Sequence, residues 1–439
     1  MKKGFVALLV VLAIVVLVSP AIVGRLAEQS MDENLDWAAT ESEEVVVSSQ
    51  GFDRGWFSSA GQHRIEIRDG ELQNLLMVIS GNEEPSELPT FIIDTRLDHG
   101  LIPLTSMSRD QGTLMPGLGS AISTLSIQLA DGETIQLPGM IYSDVGLTGA
   151  LTSRFVLEAG TQELDGADME WGDTTIEITT DPTTGKIAFG GTLGSVALAG
   201  DGESFTVTGV EFSGVQRQSQ FGFSVGDADI ALQSMAVESY ATDTTSLGPI
   251  TIGARSRVKD DRVTGRLTVK LDNAPFADFG TASIAADITL IDADGAALGN
   301  ITDALDDMQD GGSPDDFLFV VQDDVQRLLA AGVELRFDQL DISLPQGTAT
   351  SKLRLTVSES DADSFAWTSA LLALDASLDL SLPAELVNLM TTMDPQMHAA
   401  IAGGFLRKNG DVYEMEAAFK KGLLTVNGAP LPIPIPGML

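Results

Sequence analysis

Leu374-Asp375-Ala376-Ser377-Leu378-Asp379-Leu380-Ser381-Leu382 decides the fold class. Apolar and polar residues alternate along it without a break. Successive side chains of an extended strand point to opposite faces, so this stretch carries one apolar face and one wetted face. A helix would scatter the same leucines around its circumference. The period of two recurs in Thr175–Thr179, Arg266–Leu271, Asp338–Leu344 and Lys352–Val357. Strands of this kind belong to antiparallel sheets that are covered on one side.

Working outward from these strands, the pairs Asp131-Gly132, Gly190-Gly191, Asp201-Gly202 and Asp294-Gly295 predict hairpin turns, because glycine admits the positive φ such turns need. Asp292-x-Asp294-Gly295 reads as a turn rather than a calcium loop, since the later acidic ligand positions are missing. No fixed-period repeat appears, which argues against a propeller or a regular solenoid.

Two late helices interrupt the strands. Ser313 reads as an N-cap, Pro314 as the first helical residue and Gly332 as the stop, with Phe317, Val320, Val321, Val325, Leu328 and Leu329 as the buried stripe. A second helix, from about 383 to 401, buries Leu386, Leu389, Met390, Met393 and Met397 and is distorted at Asp394-Pro395. Its methionines also suit the lining of a pliable hydrophobic pocket, though core packing is the simpler reading.

At the other end of the chain, residues 4–24 carry no charge. As a helix they would span about 31 Å at 1.5 Å per residue, close to the thickness of a hydrocarbon core. Lys2 and Lys3 precede the run while Glu28, Asp32, Glu33 and Asp36 follow it, so the N-terminus is expected in the cytoplasm and the rest outside it. A cleaved signal peptide is the alternative, with small residues at Ser19-Pro20-Ala21.

The fold expected from these signals is mainly β with a few helices (α+β). An N-terminal transmembrane helix leads into an elongated, curved antiparallel β-sheet body with the two late helices packed on its apolar face. The expected divisions are 1–25 for the cytoplasmic tip and anchor, 26–42 for a juxtamembrane helix, 43–300 for a periplasmic β-meander, and 301–439 for an α+β region that continues the sheet. The expected location is the bacterial inner membrane, with the bulk periplasmic.

Composition narrows the chemistry. The chain has 439 residues and no Cys, which excludes disulfides, thiol nucleophiles and thiolate metal sites. Its 63 acidic residues against 25 basic ones give a formal charge of -38, which repels nucleic acid. Such a surface is solvated by default, and would otherwise attract cations or a basic partner. The three histidines, His63, His99 and His398, show no zinc spacing. Asp98-His99 is an adjacent carboxylate and imidazole pair, but neighbours on a strand face opposite ways, which argues against a catalytic dyad. No nucleophile elbow, phosphate loop or dinucleotide fingerprint is present, so no catalytic residue, cofactor or metal is expected.

Three stretches, in order, carry a resemblance: Gly51-Phe52-Asp53-Arg54-Gly55-Trp56-Phe57-Ser58-Ser59, Asp98-His99-Gly100-Leu101-Ile102-Pro103-Leu104, and Lys421-Gly422-Leu423-Leu424-Thr425-Val426-Asn427-Gly428. Together they resemble the YdgA-like family of bacterial envelope proteins, whose biochemical function is unknown. Leu101 stands where that family usually has proline. The resemblance implies an inner-membrane tether, a large periplasmic β-rich body and self-association, and it implies no reaction. It marks Arg54, Gly55, Phe57, His99, Gly100, Asn427 and Gly428 as motif positions without an assigned role.

The function expected from all this is a non-enzymatic binding or scaffold protein of the envelope that holds a lipid-like ligand or an envelope protein partner. A homo-oligomeric assembly protein is the first alternative, and a carboxylate-dependent envelope hydrolase the second.

Overall fold

The computed structural model describes residues 45–54, 58–67, 90–99, 119–128, 134–146, 148–164, 167–200, 203–239, 242–276, 279–309, 317, 319–360 and 372–431. The expected anchor at 4–24, the juxtamembrane helix at 26–42, Gly55, Phe57 and Gly100 lie outside the described residues. The chain divides into two compact units, Met1–Arg217 with Met235–Thr244, and Gln218–Ser234 with Thr245–Leu439.

In the first unit, β1 (Val45–Arg54), β2 (Ser58–Ile67), β3 (Thr90–His99), β4 (Gly119–Gln128), β5 (Thr134–Val145) and β6 (Leu151–Leu157) are successive antiparallel neighbours. Three long strands follow, each interrupted once. β6 continues into β7 (Gly160–Leu164), β8 (Ala167–Trp171) into β9 (Thr174–Asp181), and β10 (Lys186–Leu193) into β11 (Val196–Gly200). β12 (Glu203–Gln218) pairs with both β10 and β11 in one register, since Leu193 faces Val210 and Val196 faces Val207.

The three interruptions lie side by side and form a crease. There the Gly172 N–H donates to the Ser195 carbonyl at 2.7 Å, and the Trp171 indole N–H donates to the Glu158 carbonyl at 2.8 Å. A Cβ on Gly194 would sit 2.5 Å from the carbonyl carbon of Gly172, so the crease closes only around a bare backbone.

From β2 to β6 and on β9, one face of this unit is a buried core. Ile141, Phe155 and Ile176 stand opposite one another on β5, β6 and β9, and all are buried. Ile65, Phe91, Ile93, Leu125, Leu151 and Leu157 extend the same apolar layer. Burying side chains of this size contributes about 1.5–3 kcal/mol each as an upper estimate, which outweighs their modest rotamer entropy.

The second unit is one meander. β13 (Ser224–Ser239) and β14 (Thr242–Leu247) open it, each shared with the first unit. β15 (Ile250–Lys259), β16 (Arg262–Pro275), β17 (Thr281–Asp294), β18 (Val333–Leu344), β19 (Gly347–Val357) and β20 (Leu374–Pro383) pair in order. β20 then pairs with β22 (Val412–Lys420), which also takes β21 (Arg407–Asn409) and β23 (Leu423–Val426), and β24 (Ala429–Leu431) closes the sheet. The alternating stretches at 266–271, 338–344, 352–357 and 374–382 all lie in these strands.

Register sorts the second sheet into two faces. On one, Leu267, Ile288, Phe337, Leu353 and Leu378 stand opposite one another across β16 to β20. On the other, Arg255 faces Arg266, and Arg336 faces Arg354. These like-charged neighbours are tolerated because carboxylates interleave them: Arg255 with Asp229 at 2.6 Å, Arg266 with Asp287 at 2.5 Å, and Arg354 with Glu334 at 3.0 Å.

The structure corrects the expected fold class. The described chain is mostly antiparallel sheet with four helices rather than two: α1 (Gly295–Gln309), α2 (Gln322–Ala330), α3 (Ala384–Met393) and α4 (Pro395–Ala402). No helix among the described residues is long and apolar enough to cross a membrane.

Each departure has a local cause. Asp294-Gly295 starts α1 instead of turning a hairpin, because the Asp294 carboxylate accepts the Ala297 N–H at 2.9 Å and so caps the helix. Gly295 and Gly299 let that helix pass against Phe221, where any side chain would collide. Gly190 and Gly191 lie inside β10, where a Cβ on Gly191 would meet the Thr175 carbonyl oxygen on β9 and then the Phe212 ring. Residues 317, 319 and 320 are helical, as expected, but a bend at Val321 separates them from α2; Val321 is buried, whereas Val320 of the expected stripe stands exposed. At Asp394 the chain is extended and its carboxylate caps Gln396, which splits the expected second helix into α3 and α4. Leu386 is buried as expected, Val387 joins it, and Met393 is half exposed.

Candidate functional site

Pairing of β1, β2 and β3 brings the first two motif stretches together. Arg54 is opposite Ser59, which is opposite Leu97, and His99 lies two residues further along β3 opposite Gly119. Sequence distance gives no hint of this meeting. The side chains of Arg54 and His99 lie outside the described residues.

Beside this meeting point, on the face away from the core, is a polar cluster. Asp98 is 4% exposed and stands opposite Ser120, which stands opposite Asp144. The Ser120 hydroxyl donates to Asp144 Oδ1 at 2.7 Å. Asp98 Oδ1 lies 3.8 Å from Arg96 Nε, while Asp98 Oδ2 is buried without a hydrogen-bond partner. A hollow next to the cluster is lined by Ala60, Gly61, Gln62, Asp94, Thr95, Arg96, Ile122 and Thr124, with Gln62 donating to Asp94 at 2.7 Å. Sequence reading weighed Asp98 only as half of an Asp-His pair, and alternation along β3 places it on the opposite face from Leu97.

His63 is the second buried polar group. It stands opposite Ile93 on the core face, is 1% exposed, and neither ring nitrogen has a partner. Burial pulls its imidazole below the usual value, opposed in part by the charge of Asp94. His398 is exposed on α4, remote in sequence from both. Among the described residues no three His, Asp or Glu side chains gather to hold a metal ion.

The third motif is a structural staple in the second unit. Lys421-Gly422 and Asn427-Gly428 are two-residue turns on either side of β23, and all four residues have positive φ. That is the geometry which matches strand twist in a tight hairpin. Asn427 Oδ1 accepts the Glu416 N–H at 2.9 Å, and its Nδ2 donates to the carbonyls of Gly404 and Phe405 at 2.8 and 3.0 Å. The residue therefore ties the last hairpin to the turn after α4. Gly428, with φ of 78°, completes the turn without a side-chain penalty.

The exposed chemistry of the second unit is apolar. On β13, β15 and β16, Ile230 is 48% exposed, Ile252 37% and Leu267 39%. Ile230 stands opposite Ile252, which stands opposite Val269, and Leu267 stands opposite Ala254, so the three exposed residues share the apolar face in two adjacent rows. Leu335, Leu353, Leu355, Leu378 and Leu380 further along the same sheet are only half-buried.

No curated protein and no solved structure matches the chain. A match over residues 1–434 shows that the chain belongs to DUF945, a family of bacterial proteins of unknown function.

Proposed function

We propose that the protein is a non-enzymatic binding or scaffold protein of the bacterial envelope, and that its second-unit sheet holds a lipid-like ligand on its apolar face. The observation that carries this reading is the exposure of Ile230, Ile252 and Leu267 on one face of the sheet, beside half-buried leucines. Contiguous apolar surface of this kind costs free energy in water and marks a binding surface in a soluble body. Acyl chains fit because they need shape and apolar area, without the convergent polar groups a headgroup or sugar site requires. The uncharged run 4–24 supports attachment to the inner membrane with the body outside the cytoplasm. The three motif stretches support a place within the YdgA-like group of envelope proteins.

The test uses the full-length protein extracted from bacterial membranes and analysed by native mass spectrometry. Stoichiometric co-purifying lipid is expected, and it should be lost in Ile252→Glu and Leu267→Glu variants that keep their circular dichroism. A lipid-free protein that runs as a dimer or larger assembly would overturn the ligand reading and leave a second copy as the occupant of the face. A lipid-free monomer would overturn both.

A further inference from the structure

The first unit carries chemistry that lipid binding does not use. On the face opposite its core, Asp98, Ser120, Asp144, Thr152 and Thr179 stand opposite one another across β3, β4, β5, β6 and β9. Every side chain in that row ends in oxygen. Three of them, Asp98, Ser120 and Asp144, lie at the end of β3 to β5 where the first two motif stretches meet.

Asp98 sets the requirement. Its Oδ2 is buried and has no hydrogen-bond partner among the described residues, although buried polar atoms are almost always paired. Arg96 does not meet the need: its Nε is 3.8 Å from the other carboxylate oxygen, and its side chain is 70% exposed. A buried carboxylate oxygen in this position calls for a donor or a cation. Asp144, joined to the same row through the 2.7 Å bond from Ser120, adds a second negative charge.

We propose that Asp98 and Asp144, with the Ser120 hydroxyl between them, hold a hard divalent cation of the calcium class. Oxygen ligands select hard cations over zinc or copper, which prefer nitrogen and sulfur. Calcium accepts six to eight oxygens at irregular angles, whereas magnesium demands an octahedron, so a row of strand side chains completed by water suits calcium better. Two carboxylates neutralise the ion, and the absence of a third among the described residues places affinity in the weak range of about 10⁻⁴–10⁻³ M. The row sits in an acidic chain of formal charge -38, which raises the local concentration of divalent cations around it.

Tyr142 provides a built-in reporter, because it lies two residues before Asp144 on β5 and so on the same face. Terbium, a luminescent stand-in for calcium, is titrated into the full-length protein with excitation of tyrosine. The expected result is one saturable site per chain, displaced by calcium. Asp98→Asn and Asp144→Asn should each weaken it about tenfold or more. Asp260→Asn, on an exposed turn of the second unit, should leave it unchanged. Tyr142→Phe should dim the emission without changing calcium affinity. Asp144→Asn decides the matter if Asp98→Asn fails to fold by circular dichroism. Emission that does not saturate, or that is equal in the folded carboxylate variants and the Asp260→Asn control, would overturn the site and leave only diffuse attraction to an acidic surface.

Discussion

The two units use the same strand grammar and finish it differently. In the first, Phe155 and Ile176 are 2% and 1% exposed; in the second, Ile252 and Leu267 are 37% and 39% exposed, although all four occupy the apolar face of a central strand. Alternation of apolar and polar residues therefore specifies a strand and its two faces, but not whether anything lies on top of the apolar one. Coverage is a tertiary property.

That contrast is most sharply broken by truncation. Phe155→Ala should destabilise the first unit by about 3–5 kcal/mol, because it removes a buried ring and leaves a cavity. Leu267→Ala should cost only about 1 kcal/mol, since much of its side chain already faces water. Urea unfolding followed by tryptophan fluorescence and circular dichroism measures both, and equal losses would mean that the second face is covered. Between these lies Asn427→Ala, expected to cost about 2 kcal/mol by removing three hydrogen bonds and a residue suited to its φ of 49°. Asn427→Gly should recover part of that loss, because glycine accepts the backbone conformation but cannot make the bonds. A hairpin indifferent to both changes would remove the staple role.

The smallest expected effect is the pH slope set by His63 of the first unit. Burial holds the folded His63 below the ordinary value of 6.5, so the unfolded chain takes up the proton first. Stability from this group is complete above about pH 6.5 and falls as pH is lowered toward the depressed folded value, by at most about 1.4 kcal/mol per pH unit. His63→Leu should flatten that part of the profile. A variant whose stability falls with acid as steeply as the parent would show that other groups set the slope.

Much of the second unit is legible in sequence, because Leu374 to Leu382 and its relatives state their period without interruption. The first unit is less so. Its crease depends on Gly172 and Gly194 meeting across strands, a contact between residues far apart in sequence. Gly190-Gly191 and Asp294-Gly295 look like turns in sequence because a turn and a close approach of a neighbouring group both call for a missing side chain. Only the partners, the Thr175 carbonyl at Gly191 and the Phe221 ring at Gly295, distinguish them. The candidate site was legible by halves. Two motif stretches were recognisable as unusual, yet their convergence on β1 to β3 and the orphaned oxygen of Asp98 exist only once the sheet has formed. Asn427-Gly428 gave its turn directly, while the bonds to Gly404 and Phe405 come from the fold.

The chain contains no cysteine, so a single introduced thiol reports on one position alone. The most direct test compares thiol labelling rates of Ile252→Cys and Phe155→Cys in the full-length, delipidated protein, before and after lipid is added back. The account predicts fast labelling at position 252 that lipid slows, and labelling at position 155 that is slow throughout. Labelling at 252 as slow as at 155 in the delipidated protein would contradict it, because the apolar face of the second unit would then already be covered.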